Sequence, residues 1–205
     1  TTSGATAPTR KLSFIGSYKE LGKTIARLYR NAPQTLYFLI ASAVFRDGLV
    51  GIFTFGGILA TGTFGFSTTD VILFAIAGNV VAGVGALIGG RLDDRLGPKR
   101  VIMLSLIGIL LVGIPLLFSQ TPLTFWICGL ALCSFVGPAQ SASRTYLSRL
   151  TPAGQEGEIF GLYSTTGRAT SFLAPALFTL FVSLLGAQIW GVLGILTVIT
   201  LGLLL

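Results

Sequence analysis

Four ionisable side chains stand inside long apolar runs of this chain: Arg46 and Asp47 in the first run, Arg144 in the fourth and Arg168 in the fifth. An ion at the middle of a membrane helix costs roughly 2.5–3.5 kcal/mol on insertion scales. Such residues face a bundle interior or a wet cavity, pair with one another, and mark paths for solutes or ions. Arg46 and Asp47 are neighbours, so a regular helix points them about 100° apart and they do not pair on one face. Gly48, Gly51 and Gly56-Gly57 follow, and the expectation is a loosened first span whose polar groups look into the bundle. There they either coordinate a solute or ion or make structural pairs with neighbouring helices. Arg168 lies in Ser164-Thr165-Thr166-Gly167-Arg168-Ala169-Thr170-Ser171, eight residues with six polar side chains. Such a stretch suits a helix lining a watery passage, with Thr166, Thr170 and Ser171 beside an Arg that can hold a carboxylate or phosphate by two hydrogen bonds. The alternative is that Arg168 snorkels towards the near end of its run. Arg144 follows Gln140, Ser141 and Ser143 close to a helix end, and reads as a snorkelling or gate residue. Three Arg against one Asp leave the runs positive, which favours an anionic group between them or carboxylates from another part of the protein. Asp47, as the carboxyl inside a span, is the simplest carrier of a coupled proton.

The rest of the composition says what solvent these groups live in. The chain of 205 residues is 52% hydrophobic and only 10% charged, with 27 glycines. A soluble domain carries about 25% charged residues, so the shortfall points to lipid, where glycine also lets helices approach closely. The net charge of +7 matters through its placement. Arg10, Lys11, Lys19, Lys23, Arg27 and Arg30 precede the first run, and Arg91, Arg95, Lys99 and Arg100 sit between two others. A nucleic-acid binder spreads such residues over a polar surface; here they read as topology signals, and no nucleic-acid partner is expected. There is no His. Cys128 and Cys133 are five apart, about 500° around a helix, so neither a disulfide nor a metal site is expected, and no cofactor. An intramembrane enzyme needs a nucleophile with its base or a pair of carboxylates, for which these residues are lacking. No signal peptide is visible.

Six elements must position the candidates. Residues 1–32 read as a linker, Thr-, Ser-, Ala- and Pro-rich at first. It then becomes an amphipathic helix with Tyr18, Leu21, Ile25, Leu28 and Tyr29 on one face, at the membrane interface or resting on the bundle. Residues 33–205 read as a six-span bundle, since about 20 helical residues cross a 30 Å hydrocarbon core. The runs are about 34–61, 69–90, 100–118, 123–147 and 158–185, with a sixth from Ala187 that is still apolar at Leu205, which suggests a longer protein. The connections 91–100 and 148–157 carry charge, whereas 62–68, 119–122 and 186–188 hold no Lys or Arg. The basic connections and the basic tail therefore share one side, the cytoplasmic one by the positive-inside rule. Gly78 with Ala82, and Gly85 with Gly89, repeat the small-xxx-small pattern of close packing.

The segment Gly90-Arg91-Leu92-Asp93-Asp94-Arg95-Leu96-Gly97-Pro98-Lys99-Arg100 closely resembles the major facilitator signature, with Gly90, Asp94, Arg95, Gly97 and Lys99 matching and Pro98 in place of a basic residue. The resemblance implies a cytoplasmic gate in which Asp94 and Arg95 lock helix ends, with Lys99 or Arg100 substituting for the residue at 98. Phe45-Arg46-Asp47-Gly48, Gln140-Ser141-Ala142-Ser143-Arg144-Thr145, and Pro152 with Glu158, Phe160, Gly161 and Tyr163 resemble the vacuolar effluxer-like branch, which includes autophagy-related amino-acid exporters. Gln140, Arg144 and Glu158 then count as gate or structural residues. The resemblance covers about 14–185 and implies an all-α integral membrane protein, the C-terminal six-helix half of a twelve-helix carrier. Its partners would be the bilayer, a small amino-acid-like or anionic solute with protons as candidate coupling ion, and an N-terminal six-helix half. It implies secondary transport by alternating access; the basic connections, for their part, suggest a bacterial inner membrane with a cytoplasmic N-terminus. A non-transporting sensor or assembly subunit on the same fold is the alternative.

Overall fold

A computed structural model describes residues 22, 25–30, 32–118, 121–152 and 154–205 of the chain. Among the described residues, seven α-helices follow one another from Pro33 on: α1 (Pro33–Gly62), α2 (Thr68–Leu96), α3 (Pro98–Leu117), α4 (Pro122–Leu150), α5 (Glu156–Ala169), α6 (Leu173–Leu185) and, after a 3₁₀ turn at Gln188–Trp190, α7 (Gly191–Leu204). Among the described residues, five stretches are long and apolar enough to cross a bilayer, α5 and α6 together forming the fifth, and Gln188–Leu204 is a shorter apolar helix. This is a helical membrane bundle in which the first five expected runs are helices with ends within six residues of those expected, apart from the break at 170–172, while the sixth, expected from Ala187, is the shorter helix.

Sharp local signals set the ends. Pro occupies the first turn of α1, α3 and α4, where its missing N–H costs nothing. Ser67 and Asp70 form a reciprocal capping box at the start of α2. Between α2 and α3 the chain reverses on Gly97 alone, at φ 83°, a conformation that suits glycine. The charged connection expected over 91–100 is therefore mostly helix, because Asp93, Asp94 and Arg95 extend α2 and Pro98 opens α3. Gly90 lies inside α2 with open space where a side chain would begin, so the turn does not use it.

The α2–α4 seam is built from absent side chains. A Cβ on Gly89 would stand 2.6 Å from Pro138 and one on Gly78 3.0 Å from the Cys133 sulfur, while Gly137 sits on the Ala82 carbonyl. Pro138 has no N–H, which deprives the Ser134 carbonyl of its helical donor; that carbonyl lies against Gly85. The Gly78/Ala82 and Gly85/Gly89 pattern is this contact. α1 corrects the expectation of a loosened first span. It is one unbroken helix, and Gly48 and Gly51 admit Ile199 of α7 and Ala174 of α6 at close range. Glycine here is spent on contact, since neighbouring helices pinning both sides outweigh its intrinsic weakness in a helix.

At the basic end, residues 25–30 are helical, Leu28 is buried in the core while Ile25 and Tyr29 are exposed, and Arg27 pairs with Glu158 at 3.8 Å. Tyr18 and Leu21 lie outside the described residues.

Candidate functional site

The fifth span breaks where its polar stretch ends. Thr166 and Thr170 turn their hydroxyls back onto carbonyls of the preceding turn, a habit that loosens helices. The new helix α6 then begins with no cap from its own side chains. A helix start leaves N–H groups without partners and carries a partial positive charge. Asp47 of α1 supplies what is missing: its buried carboxylate accepts the Ala174 N–H at 2.6 Å. Thr170 donates to the Ala43 carbonyl, 2.9 Å away on the same helix α1. One turn of α1 thus grips the joint from both sides.

Arg46, one residue earlier, turns to α5. Its guanidinium carbon sits 3.9 Å from the centre of the Tyr163 ring, and Nη1 donates to the Tyr163 carbonyl at 3.1 Å. Stacking with an aromatic face and a charge-assisted hydrogen bond both hold the guanidinium against α5. The Tyr163 hydroxyl meets the Ser143 hydroxyl at 2.8 Å, tying α5 to α4. Arg46 and Asp47, Gln140 and Arg144 of α4, Tyr163 and Gly167 of α5, and Ser171 at the joint line one cleft of about 130 Å³. Both Arg46 and Asp47 already have protein partners. Arg144 is exposed on the cleft.

The expected residues divide on this geometry. Arg46, Asp47, Gln140, Arg144 and Ser171 come together. Thr166 and Thr170 stand next to them with hydroxyls engaged by backbone. Arg168 is exposed in the last turn of α5 and does not line the cleft; four residues on from Ser164, it shares that residue's face. Glu158 sits at the far end of α5 with Arg27.

Of the turn motif, Asp94, Arg95 and Lys99 are exposed, while Asp93 is buried and pairs with Arg149 of α4 at 3.6 Å. The Asp93 Oδ1 atom has no hydrogen bond among the described residues. Sequence reasoning passed over Asp93 and gave Tyr163 no role of its own. The signal for Asp93 was the pair Asp93-Asp94, since consecutive helical residues point about 100° apart and both cannot share one exposure. For Tyr163 it was an aromatic ring opening the polar run 164–171.

The sequence matches the family described as vacuole effluxer Atg22 like over residues 2–205. It is 26% identical over 189 residues to the uncharacterized MFS-type transporter YxiO of Bacillus subtilis, covering 92% of this chain and 44% of that protein. It is 27% identical over 157 residues to the probable nitrate/nitrite transporter NarK2 of Mycobacterium tuberculosis, covering 75% of this chain and 38% of that one. Autophagy-related protein 22-2 of Aspergillus fumigatus is 26% identical over 191 residues, covering 85% and 31%. The chain spans less than half the length of these relatives. By the reach of that family match, the chain belongs to the Atg22-like vacuole effluxers, a major facilitator-type family.

Proposed function

We propose that this bundle is the C-terminal half of a secondary transporter that moves a small anionic or amino-acid-like solute, working with an N-terminal six-helix half. The observation that carries the reading is the cleft itself. Midway along α1 and, at Arg144, under two turns from the basic end of α4, three elements and a helix break bring Arg46, Asp47, Gln140, Arg144 and Ser171 around one space. A purely structural bundle would avoid the cost of placing these ions there. Arg46 is occupied by Tyr163, Asp47 by Ala174 and the Ser171 hydroxyl by the Arg168 carbonyl at 2.8 Å, so Arg144 is the cation we assign to the solute, with Gln140 as its neutral partner. An arginine fork matches a carboxylate, and it also suits a small oxyanion such as the nitrate or nitrite in NarK2's name.

Asp47 would carry the coupling proton. A proton on its carboxyl removes the charge that favours the α6 N-terminus, so the hold on Ala174 weakens and the joint between α5 and α6 is released. The ionisable groups around it are Arg46 on its own helix, Arg144 from α4 and Tyr163 from α5; α6 and α7 contribute none. Asp94, Arg95, Lys99 and the turn at Gly97 would form the gate at the basic end, which we place in the cytoplasm of a bacterial inner membrane.

The test is solute flux in vesicles carrying the full-length transporter. Arg144→Gln should raise KM for anionic solutes roughly tenfold to hundredfold, the worth of one charged hydrogen bond, with a far smaller effect on neutral ones. Equal effects on both classes would remove Arg144 from the site. Absence of flux for any solute in the wild-type protein would favour the sensor or assembly role.

A further inference from the structure

Inside the bundle, between α1, α2, α3, α4 and α7, lies a cavity of about 140 Å³. Every residue of its wall falls between Ile52 and Leu196. The body of the cavity is closed by this chain itself: Ile109 and Leu116 of α3, Leu132 of α4, and Val192 and Ile195 of α7 are all buried. At the end away from the basic turns, aromatic rings seal it. Phe125 is 2% exposed, and the rings of Phe64, Phe66 and Phe74 stand 4.8, 5.4 and 5.0 Å from its own. The space exists because glycine stands where a side chain would fill it. A Cβ on Gly56 of α1 would meet nothing within 4 Å. Half-buried Gly56 and exposed Ala75 of α2 leave a window between the two helices. The window is closed at both ends, since a Cβ on Gly78 would lie 3.8 Å from Phe53 and one on Gly57 3.6 Å from Val71.

We infer that this cavity is a binding site for a small uncharged molecule with a single aromatic ring, on the scale of benzene. Size and chemistry both select the occupant. An apolar cavity of about 150 Å³ in another protein stays dry and takes benzene or xenon. Among the described residues of the wall, the one side-chain heteroatom is the Cys133 sulfur. A thiol is a weak donor, whereas a buried water needs about two to four polar partners. A charged solute would lose its hydration here with nothing in return, which sets this site apart from the polar cleft. Phe53, Phe74 and Phe125 offer faces and edges for offset or edge-on packing against an arene. The inference does not depend on which solute moves, or on whether any does.

The experiment photolabels the full-length protein in nanodiscs with phenyl azide and maps the adducts by peptide mass spectrometry. Labelling should concentrate on the wall, at Phe74 and Cys133. Saturating fluorobenzene should lower it there by about fivefold or more, as mass action requires of a single site, while benzoate at the same concentration should not. Leu111, exposed on α3 and outside the wall, reports labelling through the bilayer and should not respond to fluorobenzene. Gly56→Leu fills the space from α1 and Ala75→Leu narrows the window from α2. Each should lower wall labelling and leave Leu111 unchanged, so the result does not hang on one variant folding. Labelling that follows lipid exposure, with Leu111 above the wall and no competition, would overturn the proposal. So would equal protection by benzoate, or wall labelling undiminished in both variants. Absence of wall labelling, with a photoreactive residue at position 75 crosslinking to the protein's own other half, would overturn it as well.

Discussion

The bundle is held by two seams of opposite chemistry. Between α2 and α4 the helices touch closely because glycine leaves no side chain in the way, backbone on backbone at Gly85 and Gly137 and backbone on the Cys133 and Pro138 side chains at Gly78 and Gly89. Between α1 and the α5–α6 joint they touch through polar groups: Arg46 on Tyr163, Thr170 on Ala43, Asp47 on Ala174. In lipid, helices gain little from hiding apolar surface from each other, so close van der Waals fit and interhelical hydrogen bonds are the two available adhesives. The first has one good register and nothing to switch. The second spans a helix break and includes a carboxylate whose charge can change. On the reading proposed above, rigid support and movable chemistry would fall to different pairs of helices.

Four substitutions test that division. The largest effect is expected at Gly137→Val, which drives a branched side chain into the Ala82 carbonyl. Overpacking of this kind costs about 1–3 kcal/mol and sometimes more; the full-length protein should lose its cooperative thermal transition in detergent. A transition unchanged from wild type would mean that α2 and α4 are not in contact there. Gly90→Ala is its control, since nothing crowds that position.

Asp47→Ala comes next. It leaves the Ala174 N–H without its acceptor inside the bundle, at a cost of roughly 1.5–3 kcal/mol for a hydrogen bond to a charged group. Accessibility of a cysteine introduced at Ser171 should rise. Asp47→Asn keeps an oxygen at the cap and should restore most of the stability. It should also abolish pH-dependent flux; a wild-type pH response in Asp47→Asn would detach proton coupling from this residue.

Tyr163→Phe separates the two parts of the polar seam. The ring still faces Arg46 and only the contact with Ser143 is lost, so about 1 kcal/mol of stability should go, read as a small shift in thermal midpoint. A loss as large as that of Asp47→Ala would show that α4, and not α1, anchors the joint.

The smallest effect is expected at Arg168→Ala. This residue is exposed and outside the cleft, so anionic-solute KM should move less than threefold, well below the Arg144→Gln change. An equal loss in the two variants would extend the site to the outer face of α5.

Much of the architecture could be read from residues alone because lipid imposes a simple rule. Every spanning segment must satisfy its own backbone, so a long apolar run is a helix, and Pro33, Pro98 and Pro122 mark where three of those helices begin. The four-residue repeat of small side chains announced the α2–α4 contact for the same local reason. The run 158–185 was read as continuous because hydropathy does not register a break that keeps its residue types. The break depends on Asp47, which lies 127 positions from Ala174 in the chain.

What the amino-acid order determined by itself was the solvent, the spans, the sidedness of the basic turns and the presence of costly ions within them. Each of these depends on the transfer energy of a short segment, which its own residues set. Which ion meets which partner was decided by the tertiary structure alone. Arg46, Asp47, Arg144 and Arg168 are equally conspicuous as letters, yet packing gives the first two to Tyr163 and Ala174, leaves Arg144 on the cleft and turns Arg168 away from it. It likewise buries Asp93 and exposes Asp94. Those outcomes depend on which helix lies opposite at a given depth and rotation, and no local transfer energy contains that information.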